Sequence, residues 1–188
     1  LLSMPLWNGA FADEGRALVF HGSAAGLSAV PAWSVTGGSA SLQFGTGASF
    51  AGDTDGDGYA DVIIGIPAYS NGQSGEGRLL LYRGSPAGLA AAPGWTYESN
   101  STGAALGASV SAAGDVNGDG EADFIAGAPT YANGQANEGR IYVFYGSPAG
   151  PGATPFTYES NSANARLGTV VTMAGDVNTD GYGDVAAS

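Results

Sequence analysis

Three nine-residue segments share one spacing of acids: Asp53-Thr-Asp-Gly-Asp-Gly-Tyr-Ala-Asp61, Asp115-Val-Asn-Gly-Asp-Gly-Glu-Ala-Asp123 and Asp176-Val-Asn-Thr-Asp-Gly-Tyr-Gly-Asp184. Each places Asp, Asp or Asn, Asp and Asp at positions 1, 3, 5 and 9, with Gly at position 6, and the starts lie 62 and then 61 residues apart. Oxygens packed this densely repel one another unless a hard cation sits among them, and Ca²⁺ takes about 6–8 oxygens at ~2.3–2.6 Å. Three copies in register define a repeat chain with one calcium-type loop per repeat.

The register extends beyond the loops. Pro5, Pro67 and Pro129 are each followed eleven residues later by Arg16, Arg78 and Arg140, every one ending a Glu-Gly-Arg tripeptide. Gly22, Gly84 and Gly146, then Trp33, Trp95 and Phe156, keep the same step, with one deletion between Tyr145 and Phe156. Four short β signals fall in each repeat: before the acidic loop (Ala48–Ala51, Ala108–Ala113, Thr169–Ala174), directly after it, at Arg78–Arg83 and its copies, and at Trp95–Glu98 and its copies. Strands of about five residues between Gly, Pro and Asn turns predict antiparallel sheets. The chain has 33 glycines and 9 prolines, which disfavours long helices. Tandem four-stranded repeats without helices predict an all-β fold of β-propeller blades, three blade equivalents in one segment over residues 1–188, with repeats at about 1–64, 65–126 and 127–188. A parallel β-helix is the rival, but its repeats are usually shorter.

The loop joins the first two strands and is not an EF-hand. That motif needs a bidentate Glu at position 12 and flanking helices, whereas position 12 here is Ile64, Ala126 or Ala187. The fourth carboxylate comes early, at position 9. The expected ligands of three Ca²⁺ are therefore Asp53, Asp55, Asp57 and Asp61; Asp115, Asn117, Asp119 and Asp123; and Asp176, Asn178, Asp180 and Asp184. The backbone carbonyls of Tyr59, Glu121 and Tyr182 add one oxygen each. Gly58, Gly120 and Gly181 allow the backbone to bend around an ion. Because Asn117 and Asn178 lower the charge of two loops, the first loop is expected to bind tightest.

These residues resemble the FG-GAP repeats of the integrin α-subunit N-terminal propeller. Phe44-Gly45 precedes Gly65-Ile66-Pro67, and Leu106-Gly107 precedes Gly127-Ala128-Pro129, with the Asp-rich loop between the members of each pair. Leu stands for Phe in the second and third copies, and Ile66 for Ala, without touching an expected ligand. The resemblance implies a propeller used for adhesion or ligand binding in an extracellular or cell-surface protein. The chain opens and closes within second strands, so its terminal blades are expected to be completed by the remainder of a longer propeller or by a second copy. Starting at Leu1 with no signal peptide, it reads as a mature piece of a longer product.

Charge narrows the partners. Seventeen acids face five arginines and no lysine, for a net charge of -12, and ten of the acids lie at the loop positions named above. Such a chain has no basic patch for nucleic acid or anionic membranes, and no apolar run approaches the ~18 residues of a membrane span. The absence of cysteine excludes a disulfide framework. His21, the only histidine, falls at the end of a third strand, and no nucleophile elbow, cysteine or lysine accompanies it, so no catalysis is expected from the segment itself. Trp7, Tyr69, Gln73, Tyr131 and Gln135 occupy the loops between second and third strands, on the rim opposite the acidic hairpins. They are the candidate contacts for a protein or glycan ligand, against the alternative that the aromatics pack between blades. A lectin-like propeller and a non-catalytic segment of a larger secreted enzyme are the competing readings.

Overall fold

The second strand of each complete repeat is apolar on both faces: Asp61–Ile66 and Asp123–Ala128 are buried at every position. A strand buried on both sides lies between two other layers, and the computed structural model, which describes residues 1–188, places it there. Fifteen strands and no helix make up the chain. They are β1 (Leu2–Met4), β2 (Arg16–Val19), β3 (Gly22–Ser23), β4 (Gly26–Leu27), β5 (Trp33–Thr36), β6 (Gly47–Gly52), β7 (Asp61–Ile66) and β8 (Arg78–Tyr82). The rest are β9 (Trp95–Glu98), β10 (Ser109–Gly114), β11 (Asp123–Ala128), β12 (Arg140–Phe144), β13 (Phe156–Glu159), β14 (Val171–Gly175) and β15 (Asp184–Ala187).

Two four-stranded antiparallel sheets, in the orders β6-β7-β8-β9 and β10-β11-β12-β13, are flanked by the β1-β2-β5 and β14-β15 sheets. This is the four-stranded meander expected of propeller blades. The small hairpin β3–β4 has no counterpart among the expected strands, because each of its strands is only two residues long. In each repeat the first strand carries a bulge just before the acidic loop, at Phe50/Gly52, Ala112/Gly114 and Met173/Gly175. A bulge bends its strand and turns the next residues in a new direction, here delivering the loop in one orientation each time.

Neighbouring sheets pack face to face. Val62, Ile64 and Ile66 join Ala17, Val19 and Phe44 in one core cluster, while Ile63 points the other way and joins Phe124, Tyr142 and Phe144. Trp95 closes the second cluster from the preceding blade, with ring centroids 5.7 Å from Phe124 and 5.1 Å from Phe144. The glycine pairs of the repeat motif have a packing cause. Gly107 donates its N–H to Gly127 O within its own blade, and its carbonyl lies so near Gly65 of the preceding blade that a Cβ there would fall 2.0 Å away. A Cβ on Gly127 would likewise fall 2.0 Å from Gly168 O, so the two motif glycines of successive repeats are one backbone-to-backbone contact.

Candidate metal centres

Each acidic loop wraps around the side chain of its first Asp. Asp53 accepts the amides of Asp57 and Gly58 at 3.0 and 2.7 Å. Asp115 accepts those of Gly118, Asp119 and Gly120, and Asp176 those of Asp180 and Gly181. The fifth residue then caps the turn: Asp57, Asp119 and Asp180 accept from the amides of Tyr59, Glu121 and Tyr182 at 2.9, 3.0 and 3.0 Å. Gly58, Gly120 and Gly181 make this possible with φ of +90°, +94° and +93°, a region closed to most side chains. The three loops thus share one backbone path, fixed by their own carboxylates.

The first loop gathers charge most tightly. Carboxylate oxygens of Asp53, Asp55 and Asp57 all lie within 4.8 Å of one another. The Asp55 side chain is only 7% exposed, and its Oδ1 is buried without a hydrogen-bond partner. A buried anionic oxygen with no donor is strongly unfavourable unless a cation meets it, so the donor set of this loop suits a hard, oxygen-seeking ion such as Ca²⁺. In the other two loops an amide holds position 3. Asn117 Nδ2 donates to Asp119 at 2.8 Å and Asn178 Nδ2 to Asp180 at 2.9 Å. The Asn117 bond holds the Asp119 carboxyl below its usual pKa. Burial and the neighbouring Asp119 raise that of Glu121.

Position 9 sits at the neck of the hairpin. Asp61 accepts from Thr54 N at 3.1 Å, from the Thr54 hydroxyl, and from Gly84 N at 2.8 Å. Asp123 repeats the pattern with Val116 N and Gly146 N, both at 2.8 Å, and Asp184 accepts from Val177 N at 2.8 Å. Burial raises the pKa of Asp61 and Asp123 although these bonds oppose it. Asp61 lies outside the close trio, and it ties the loop to the strand-three end 23 residues later. That tie is a role the spacing did not reveal.

Consecutive loops are stitched together. Ala122 N donates to Asp53 O at 2.9 Å, Gly183 N to Asp115 O at 2.7 Å, and Ser147 N to Thr54 O at 2.9 Å. The first residue of one loop therefore carries, on its carbonyl, the eighth residue of the next.

At the opposite end of the blades the candidate ligand contacts are largely engaged already. Arg16, Arg78 and Arg140 lie over the rings of Trp7, Tyr69 and Tyr131 at 5.1, 4.9 and 3.9 Å. Tyr131 is buried and the Tyr69 hydroxyl accepts from Arg78 at 3.2 Å. Gln73 is half-buried and Gln135 is exposed. The acids of the Glu-Gly-Arg tripeptides do not pair with their own arginines. Glu14, Glu76 and Glu138 are fully buried and accept the amides of Phe11, Asn71 and Asn133, while Arg78 and Arg140 reach Glu98 and Glu159 on the adjacent fourth strands.

Tandem antiparallel sheets with an oxygen-rich hairpin in every repeat define an acidic-loop type of propeller repeat. Residues 44–82 and 106–144 match the FG-GAP repeat, and the chain is an FG-GAP repeat protein resembling integrin α-subunits. It is 38% identical to integrin alpha-PS2 of Drosophila melanogaster over 113 residues, 55% of this chain and 8% of that protein. It is 33% identical to integrin alpha pat-2 of Caenorhabditis elegans over 148 residues, 71% of this chain and 12% of the relative. It is 31% identical to the phosphatidylinositol-glycan-specific phospholipase D of Mus musculus over 147 residues, 72% of this chain and 17% of the relative. The chain thus spans less than a fifth of the length of these relatives.

Proposed function

We propose that this chain is a calcium-stabilised, integrin-like propeller module that binds a protein ligand outside the cell and performs no catalysis of its own. The observation that carries the calcium reading is the first loop, where three carboxylates converge and a buried Asp55 oxygen has no donor. The ligands would be the side chains at positions 1, 3, 5 and 9 and the carbonyl at position 7 of each loop, three ions in all. The ions are structural: they neutralise acids that otherwise oppose closure of the hairpins, and ligand that binds only the folded state stabilises it by mass action. Residues 1–64, 65–126 and 127–188 act as successive repeats of one propeller segment. Metal analysis of the whole protein after gel filtration in calcium tests the number, with three ions expected for these loops; none retained at millimolar calcium would overturn the reading.

Adhesion and an extracellular place rest on the similarity to integrin α-subunits. No helix is long and apolar enough to cross a membrane. A second reading, a propeller segment beside a catalytic domain, is supported by the similarity to the phospholipase D, which extends over 72% of this chain, as far as the 71% of integrin alpha pat-2. Assaying the whole protein for hydrolase activity with and without this segment separates the two. Protein-ligand binding that survives deletion of the segment would exclude it as the adhesive surface.

A further inference from the structure

We propose that Arg83 is the resident counter-charge of the first acidic loop, holding one Asp55 oxygen so that the other is aimed at the cation. This rests on the calcium reading above. Arg83 directly follows strand β8, and its Nη1 lies 2.8 Å from Asp55 Oδ2 while Asp55 Oδ1 stays buried and free. A guanidinium on one oxygen fixes the carboxylate plane and leaves the second oxygen to a metal.

The repeats supply an internal control. The blade with Asp at position 3 has Arg83 at the strand-three end and Gly94 before strand four. Its neighbour has Asn117, Tyr145 and Pro155 at the same places, so three positions change together. Gly94 leaves the arginine room, since a Cβ there would lie 3.2 Å from Arg83 Cδ and Nε, a tight contact. Where Asn117 replaces the acid, its own amide donates to Asp119 at 2.8 Å, doing inside the loop what Arg83 does from outside. The charge arithmetic agrees: four carboxylates at the ligand positions of the first loop less one guanidinium leave the same net charge as the three carboxylates of each other loop. The extra acid therefore gives the first loop no excess of net charge over the other two.

Arg83 also reaches the next blade. Its Nη2 donates to Ala149 O at 3.4 Å and lies where a Cβ on Gly150 would fall, 2.3 Å away. At the preceding blade interface the equivalent residue is His21, and an open cleft of about 490 Å³ lies there, lined by His21, Trp33, Phe50 and Tyr59. Arg83 thus links the charge state of one metal loop to the packing of the following blade.

The test compares melting temperatures of the whole protein in calcium and in chelator, for the parent, Arg83→Ala, Asp55→Asn and the double variant. Arg83→Ala lowers the chelator value by roughly 3 °C and the calcium value by less, because the ion takes over neutralisation, so the gap widens. Asp55→Asn added to Arg83→Ala restores the parent chelator value, copying the other loops. An equal loss in both conditions that Asp55→Asn does not rescue makes Arg83 a packing residue and overturns the proposal. If Arg83→Ala does not fold, Arg83→Lys decides: it keeps the charge and the parent gap, and a widened gap overturns the proposal. A parent protein whose melting ignores calcium overturns the calcium reading and this proposal together; a responsive parent with an unchanged Arg83→Ala gap overturns this proposal alone.

Discussion

The two ends of the blades solve one electrostatic problem in opposite ways. At the end that carries the loops, ten carboxylates at the ligand positions face a single arginine, Arg83. At the other end the third strands begin with Arg16, Arg78 and Arg140, and Arg166 comes after a fourth strand, so four of the five arginines sit there. Arg140 pairs with Glu159 and lies 3.9 Å over the Tyr131 ring, and Arg78 reaches Glu98 at 3.5 Å and Tyr69 at 4.9 Å. One end carries its own counter-charge, four arginines against six acids, whereas on the proposed reading the other takes its counter-charge from bound calcium. A structure so divided should respond to calcium at one end only.

Calcium removal is the largest way to break that division. If each of three loops is saturated at about 100 times its Kd, the ions together contribute about 8 kcal/mol, and chelation lowers the melting temperature by on the order of 20 °C. Scanning calorimetry in calcium and in chelator measures it directly; coincident curves would leave the acidic end without a cation. Asp115→Ala comes next. It removes a proposed ligand and the acceptor of three loop amides, and costs about 3 kcal/mol in calcium. Less than half of that should remain in chelator, where exposed amides turn to water, and one ion fewer should be retained per chain.

The contrast between the ends also explains what is legible in the chain. The loops, their glycines and the four strands of each blade can be read because each recurs, and because Val62–Ile64 and Phe124–Ala126 are apolar runs between turns. The bond from Gly84 N to Asp61 and that from Gly146 N to Asp123 span 23 residues and leave no local signature. Arg83 is hidden for the opposite reason: it breaks the repeat, and its meaning lies in the joint change at Asp55 and Gly94. Burial of Glu76 and Glu138 is equally unreadable, since a Glu-Gly-Arg tripeptide suggests an ion pair, whereas the acids turn inward to the Asn71 and Asn133 amides. Tyr131 shows the limit for ligand surfaces, because an aromatic in a rim loop looks exposed until Arg140 is seen to cover it.

Arg140→Gln sharpens the contrast from the arginine-bearing end. It removes the Glu159 pair and the cation–π contacts with Tyr131 and Tyr142, at a cost of about 1–2 kcal/mol. Chemical denaturation should give the same loss in calcium and in chelator. A loss confined to calcium would mean that the two ends are coupled through the sheet, and the division would fail.

Acid titration of melting in chelator has the smallest effect but gives the two ends opposite signs. Hydrogen bonding from Arg140 holds the Glu159 carboxyl below its ordinary 4.5. Its stabilisation is complete above that ordinary value and is lost as the pH falls through the lower, folded-state value. Asp61 and Asp123 are raised by burial above their ordinary 3.8, so the folded chain takes up their protons first. Between the raised and the ordinary value, acidification therefore stabilises the metal-free fold at the loop necks, whereas below the ordinary 4.5 of Glu159 it destabilises the other end. Glu159→Gln should remove only the destabilising contribution from the difference curve against the parent, and Asp61→Asn only a stabilising one. If Glu159→Gln removed a stabilising contribution instead, the assignment of the two signs to the two ends of the blade would be reversed. Calcium should abolish the stabilising contribution by holding the loop acids ionised, while leaving the Glu159 contribution in place, because Arg140 and not an ion holds that carboxylate.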